Sequence, residues 1–190
     1  MRVLLVDNNT EFQTNIRGLL SDYDVDTVHF RSLSTLSKKA LREYDLIVLS
    51  GGTGPTVKRN HHQYGSEVDI ILHSKTPIIG ICLGAQLIAH TYGARLTKLP
   101  KRVKGIVKIF GVRQNPFNYF YHGERVFASH EWRITDLPHE LECLAASGDG
   151  VEMFRHVKKP IYGLQFHPER RLERNSGPRI FRQIVSELIG

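Results

Sequence analysis

The sequence predicts an α/β fold: a doubly wound, mostly parallel sheet with flanking helices and a small antiparallel strand region. Three observations predict it. Short continuous apolar runs alternate with helically spaced segments from Arg2 to Gly93, the runs end in polar or glycine-rich turns, and beyond Gly93 the segments switch to mixed or alternating polarity. Continuous apolar strands between helices mark a parallel sheet covered on both faces, since such strands have no solvent side. The 190 residues suit one compact domain, 1–190, with a single core.

Arg2 to Val6 is the first apolar run. After Asp7-Asn8-Asn9-Thr10, the residues Phe12, Ile16, Leu19 and Leu20 fall at i, i+4, i+7 and i+8, which reads as strand, turn and helix. Asp26 to Phe30 is a second strand and Leu33 to Leu41 a helix. Leu46-Ile47-Val48-Leu49 is a third strand, bounded by Ser50-Gly51-Gly52. A loop follows, then a helix around Gln63 to Ser74, then Pro77 to Ile81 as a fourth strand running straight into Cys82. Repeated strand–helix units make double winding the economical arrangement. Val103 to Val112, Arg125 to Ala128, Leu141 to Ala145 and Val151 to Phe154 look like antiparallel strands and hairpins. Ile161 to Phe166 is strand-like again and ends at His167-Pro168-Glu169. Ser176-Gly177-Pro178 opens a last helix with Ile180, Phe181, Ile184, Val185 and Leu188 on one face.

Hydrophobic residues make up 41% and charged residues 24%, an ordinary globular mix, and no apolar run approaches the roughly 20 residues a membrane span needs. Met1 to Asp7 turns polar too soon for a secretory signal, so a soluble, cytoplasmic chain with no membrane partner is expected. Two cysteines, Cys82 and Cys143, make no disulfide framework. The net charge of +7 suits nucleic acid, an acidic partner or simply a basic solvated surface; scattered Lys and Arg without interleaved aromatic residues argue against nucleic acid.

Gly80-Ile81-Cys82-Leu83-Gly84 has the form Gly-x-nucleophile-x-Gly at a strand end, with a helix starting within two residues. Glycines at ±2 let strand and helix nearly touch, which exposes the thiol at the carboxyl edge of the sheet; a buried core cysteine beside chance glycines is the bland alternative. A cysteine nucleophile needs a base. His167 follows an apolar strand, and Glu169, two residues on, can hold its tautomer, which makes a Cys82, His167, Glu169 triad. Leu83, just after the nucleophile, and Gly52, in the glycine-rich turn after the third strand, are candidate backbone donors to an oxyanion; a plain glycine turn is the other reading of Gly52. Lys58 to His62 reads as a partner-contact segment or a solvated loop. His61 and His62 lack a third ligand at useful spacing, so no metal is expected, and no motif calls for a cofactor. Cys143 reads as packing, and His122 and His130 stay ambiguous.

Ser50-Gly51-Gly52-Thr53-Gly54-Pro55, then Pro77 to Gln86 around Cys82, then Tyr162 to Glu169 resemble, in order and spacing, the class I (triad) glutamine amidotransferases, over nearly the whole chain. The resemblance implies the class I glutaminase fold, which is flavodoxin-like, and release of ammonia from L-glutamine through a γ-glutamyl thioester on Cys82. It also implies that Gly54, Gln86 and the backbone of Glu131 and Trp132 meet the substrate. Thr53 stands where the family usually has proline, and Ala85 where it has histidine or a similar larger residue; neither departure removes a catalytic group.

The resemblance further implies a hetero-oligomer with an ammonia-accepting synthetase subunit, whose docking organises the Gly52 loop. Free-standing subunits of this size serve GMP synthetase and the anthranilate and aminodeoxychorismate synthases. Asp7-Asn8, Phe12 and Asn15 lean toward the chorismate enzymes. Ser129-His130, Asp136-Leu137-Pro138, Gly177 and Ile180-Phe181 lean toward the GMP synthetase type, as does Arg170 where the chorismate group usually has serine. A stand-alone γ-glutamyl hydrolase and a non-catalytic relative are the other classes in contention.

Overall fold

The structure, a computed structural model, describes residues 1–112 and 123–190. The chain runs β1 (Arg2–Asp7), α1 (Gln13–Leu19), β2 (Asp24–His29), α2 (Lys38–Leu41), β3 (Leu46–Leu49), α3 (Val57–Asn60), α4 (Gly65–His73), β4 (Ile78–Ile81) and α5 (Leu83–Thr91). There follow β5 (Arg95–Gly111), β6 (Glu124–Thr135), β7 (Leu141–Ser147), β8 (Gly150–His156), β9 (Ile161–Leu164) and α6 (Gly177–Ile189). Among the described residues these nine strands join one mixed sheet in the order β2-β1-β3-β4-β9-β8-β6-β5-β7.

From β2 to β9 the pairing is parallel. Successive side chains of a strand point to opposite faces, and β1 shows both faces covered. Val3 and Leu5 pack with Ile16 and Leu19 of α1 and with Ile180, Phe181 and Ile184 of α6. Leu4 and Val6 pack on the other side with Ile70 and Ile71 of α4 and Leu87 and Ile88 of α5. Each of these fully buried aliphatic or aromatic side chains contributes about 1.5–3 kcal/mol relative to exposure, so the unbroken apolar runs follow from two-sided burial. Among the described residues no helix is long and apolar enough to cross a membrane.

Three expectations are corrected. The single helix over Leu33 to Leu41 is a 3-10 turn at Phe30–Thr35 followed by the four-residue α2. Hydroxyls break it: Thr35 Oγ1 donates to the Ser32 carbonyl, and Ser37 Oγ accepts from the Ala40 amide, capping a new helix rather than continuing the old one. The antiparallel region is not small, because β5 alone spans 17 residues and β6 spans 12. Its outer face carries Arg102, Lys104 and Lys108 in alternation, so a one-sided strand resembles a polar loop in sequence. The register shifts between Lys98 and Val103, around Pro100, which has no amide to give the ladder. The helix expected at Gln63 begins at Gly65, after a 3-10 turn over His61–Tyr64.

Candidate active site

Parallel pairing brings the motifs together. Gly80 of β4 is paired with Leu49 of β3, and Ile81 with Leu164 of β9, so Ser50–Gly52, Cys82 and Gln165–Glu169 leave adjacent strands at one carboxyl edge. Cys82 has φ 47° and ψ −97°, a conformation an L side chain adopts at a cost of about 1–3 kcal/mol. Its glycine neighbours are forced by close approach. A Cβ on Gly84 would stand 2.3 Å from the Leu49 carbonyl oxygen, and one on Gly80 would stand 2.7 Å from the Ala85 nitrogen. The Cys82 amide donates to the Leu164 carbonyl at 2.7 Å and its carbonyl accepts from the Gln86 amide at 2.9 Å, so strand and helix both grip the turn.

Glu169 is fully buried, and its Oε1 lies 2.7 Å from His167 Nδ1. Burial alone would lower the His167 pKa; the Cys82 sulfur and the Glu169 carboxylate outweigh it and hold the imidazole well above its ordinary value. No hydrogen bond of ordinary geometry ends on His167 Nε2 among the described residues, yet Cys82 lies close enough to attract the charged ring. Gly51 sits against both partners: a Cβ there would come within 3.2 Å of His167 Cε1 and 3.3 Å of Cys82 Cβ. The His167 amide is pinned to the Phe127 carbonyl at 2.7 Å.

The amides of Gly52 and Leu83 donate to no other described protein group, so both are free to serve a ligand. Gly52 and Cys82 line a cavity of about 270 Å³ together with His167, and Thr10, Phe12, Phe127, Ser129, Arg102, Lys104 and Arg170 also face it. Gly54, Leu83, Gln86, Glu131 and Trp132 do not line it. Gln86 instead donates from Nε2 to the Trp132 carbonyl at 3.0 Å and to Gln165 Oε1 at 3.2 Å, which ties α5 to β6 beside the thiol. Glu131 is exposed on β6. A larger hollow of about 540 Å³ beside Lys38 and His73 is lined by no cysteine.

Several residues of the site carry little signal in the sequence. Gln165, 1% exposed, points Nε2 at Cys82 Sγ from 3.8 Å, and the tripeptide it heads, Gln165-Phe166-His167, is its only signal. Arg170 stacks its guanidinium over Phe12 at 4.6 Å and Phe127 at 5.1 Å, while both rings meet His167 edge-on at 5.7 and 6.4 Å. His130 is buried with neither ring nitrogen partnered among the described residues. Burial first, then the charges of His167 and Arg102, push its pKa down to about 4, so it is neutral. His122 lies outside the described residues.

Lys58 to His62 is not a free loop. It forms α3 and the following 3-10 turn, with Lys58 over the Trp132 ring at 5.6 Å and His61 Nε2 3.2 Å from Thr91 Oγ1. Among the described residues no three His, Cys, Asp or Glu side chains gather as metal ligands. Cys143 is half-buried, and burial pushes its thiol up to about 11, which suits packing rather than reaction.

Comparison with known proteins identifies the family. The family described as glutamine amidotransferase class-I matches residues 4–187. A glutamine-hydrolyzing GMP synthase subunit of Methanocaldococcus jannaschii is 33% identical over 172 residues, covering 88% of this chain and 87% of the relative. Anthranilate synthase component 2 of Saccharolobus solfataricus is 30% identical over 176 residues, covering 87% and 89%. A crystal structure of a protein described as a GMP synthase subunit from Thermoplasma acidophilum superposes with a TM-score of 0.82 at 29% identity, over 98% of this chain and 92% of that one. With its family matched over nearly its whole length, and a cysteine, a histidine and a glutamate meeting at the strand ends, this chain belongs to the class-I glutamine amidotransferases.

Proposed function

We propose that the chain is, as one domain, the glutaminase subunit of a GMP-synthase-type pair, hydrolysing L-glutamine to glutamate and ammonia for a separate synthetase. The observation that carries this reading is the meeting of a strained, glycine-flanked Cys82 with a buried His167 held by Glu169. Cys82 sulfur attacks the γ-carboxamide carbon, and His167 gives its proton to the departing nitrogen, so ammonia leaves and a γ-glutamyl thioester remains. His167 then takes a proton from water, whose oxygen attacks the thioester carbon; the carbon–sulfur bond breaks, glutamate leaves and the Cys82 thiolate is restored beside the protonated imidazole. Glu169 keeps the imidazole oriented. The free amides of Gly52 and Leu83 receive the oxyanion in both steps, in a setting where one donor is worth about 10²–10³ in kcat.

Gln86, linked to the Trp132 carbonyl, together with Gly54 and the Glu131–Trp132 backbone, forms the proposed seat for the amino-acid end of glutamine. The doubly wound arrangement follows from helices on both faces of the parallel strands. Arg102, Lys104 and Arg170 at the cavity mouth favour an acidic face on the synthetase. Similarity to anthranilate synthase component 2 keeps a place in a chorismate-using enzyme as the second reading. The test is release of ammonia and glutamate by wild type and Cys82→Ala, alone and with the synthetase subunits of both pathways. Cys82-dependent release that rises with the GMP-forming synthetase is expected. Release that rises with the chorismate enzyme instead moves the assignment to the second reading, and release of γ-glutamyl products with no response to either overturns the subunit role.

A further inference from the structure

Beneath the Ser50–Pro55 loop lies a polar group that the reaction does not use. Tyr64 and Glu67 stand three residues apart at the start of α4, both 1% exposed, and neither lines the cavity. Tyr64 Oη donates to the Pro55 carbonyl at 2.6 Å, and Gly54 lies so close above it that a Cβ there would be 2.8 Å from that oxygen. Glu67 Oε1 accepts from Asn8 Nδ2 at 3.1 Å, and the same amide group donates to the Ser50 carbonyl at 3.1 Å. The Asn8 backbone amide donates to Ser50 Oγ at 2.9 Å, and that hydroxyl donates to the Gly51 carbonyl at 2.6 Å. Gly52 then lies directly on Asn8, where a Cβ would meet the Asn8 carbonyl oxygen at 1.8 Å.

We propose that Tyr64 and Glu67 are positioning residues that clamp the two ends of the Ser50–Pro55 loop, and so fix the Gly51 and Gly52 backbone against Cys82 and His167. The inference rests on the reading of Gly52 as an oxyanion donor.

Stability alone does not account for the carboxyl. Its neighbours on α4, Ile70 and Ile71, are apolar core residues, and its second oxygen has no hydrogen-bond partner among the described residues. An apolar side chain would fill that place without the desolvation cost of a buried carboxyl. Burial raises the Glu67 pKa to about 8, so at neutral pH it accepts the Asn8 hydrogen bond as an uncharged acid. What the pair supplies is a fixed height for the glycine loop, and a donor misplaced by about 1 Å costs about 10²-fold in rate.

The experiment compares Glu67→Gln, Glu67→Leu and Tyr64→Phe with wild type. It reads kcat and KM for glutamine, the iodoacetamide alkylation rate of Cys82, and hydrogen exchange at the Thr53 and Gly84 amides, which tie the loop through the Asn9 and Ser50 carbonyls. Glu67→Gln keeps the acceptor and is expected within about twofold of wild type in all readouts. Glu67→Leu, folded and alkylated at the wild-type rate, is expected to lose about 10- to 100-fold in kcat with KM little changed, and to exchange its Thr53 and Gly84 amides faster. Tyr64→Phe, which removes one oxygen and preserves packing, is expected to lose about 3- to 10-fold in kcat with the same sign in exchange. Wild-type exchange in both Glu67→Leu and Tyr64→Phe overturns the clamp. An enzyme inactive on glutamine in the wild type even with either synthetase present, with faster exchange in the variants, leaves the clamp standing and removes the glutaminase reading.

Discussion

The parallel half of the sheet, β1 to β4 with β9, and the antiparallel half, β5 to β8, each contain one cysteine. Cys82 ends a strand buried on both faces, at φ 47° between two glycines that cannot carry a side chain. Cys143 lies on β7, in a sheet region with one wetted face, and burial pushes its thiol up while it donates to the Ala145 carbonyl. Both are partly sheltered sulfurs; their chemistry differs because a doubly covered sheet over-determines its strand ends and holds a strained turn that a one-sided sheet would release. The parallel half supplies the proposed reacting groups, and the antiparallel half supplies a wall, Arg102, Lys104, Phe127 and Ser129.

The largest test of this division is the pair Cys82→Ala and Cys143→Ala. Cys82→Ala is expected to reduce glutamine hydrolysis to background, about 10⁴-fold or more, whereas Cys143→Ala keeps kcat within about twofold. Thiol loss with equal effect at both positions would break the comparison. Next, Glu169→Gln is expected to lower kcat by about 10²- to 10⁴-fold, because His167 loses the carboxylate charge beside Nδ1 and an amide can present N–H there, which favours the wrong tautomer. Steady-state kinetics across pH checks it.

Glycines give a stability version of the same contrast. Gly84→Ala must displace the Leu49 carbonyl, 2.3 Å from the new Cβ, and is expected to cost about 2–4 kcal/mol in urea unfolding. Gly148→Ala, in the antiparallel half, meets nothing within 4 Å and is expected to stay within about 0.5 kcal/mol.

The buried Glu67 adds a pH dependence to the parallel half. Its folded pKa of about 8 lies above its ordinary 4.5, so folding takes up a proton between those values. Its contribution is therefore full below about pH 4.5 and is lost as pH rises to about 8. Wild type is expected to lose stability relative to Glu67→Gln across that window, at up to about 1.4 kcal/mol per pH unit, measured by denaturant titration at several pH values. The smallest effect expected is on the wall: Arg102→Gln with Lys104→Gln changes stability by less than about 0.5 kcal/mol and weakens synthetase binding more at low salt than at high. Equal loss at all salt concentrations would assign those cations to something other than steering.

Much of the parallel half is legible in the sequence because its signals are local. Leu46 to Leu49, Ile78 to Ile81 and the glycines around Cys82 state their own structure, since continuous burial and close approach leave few residue types allowed. The antiparallel half is harder to read because β5 alternates Lys and Arg with apolar residues over a long span, and a half-wetted strand carries half the apolar signal. The Leu33 to Leu41 segment departs from its helical spacing because hydroxyl-to-backbone bonds of Thr35 and Ser37 outweigh that spacing in so short a stretch.

The sequence by itself determined the strand-turn-helix around Cys82, the His-Pro-Glu end of β9 and the family that these motifs resemble, all of which depend on neighbours a few residues apart. Only the tertiary structure decided that Arg170 lies over Phe12 and Phe127, that Gln165 faces the thiol, and that Glu67 reaches Asn8 beneath the glycine loop. The last two of these contacts join residues 83 and 59 positions apart, and parallel strands linked by helical crossovers bring such positions together through the register of the whole sheet, which no local pattern encodes.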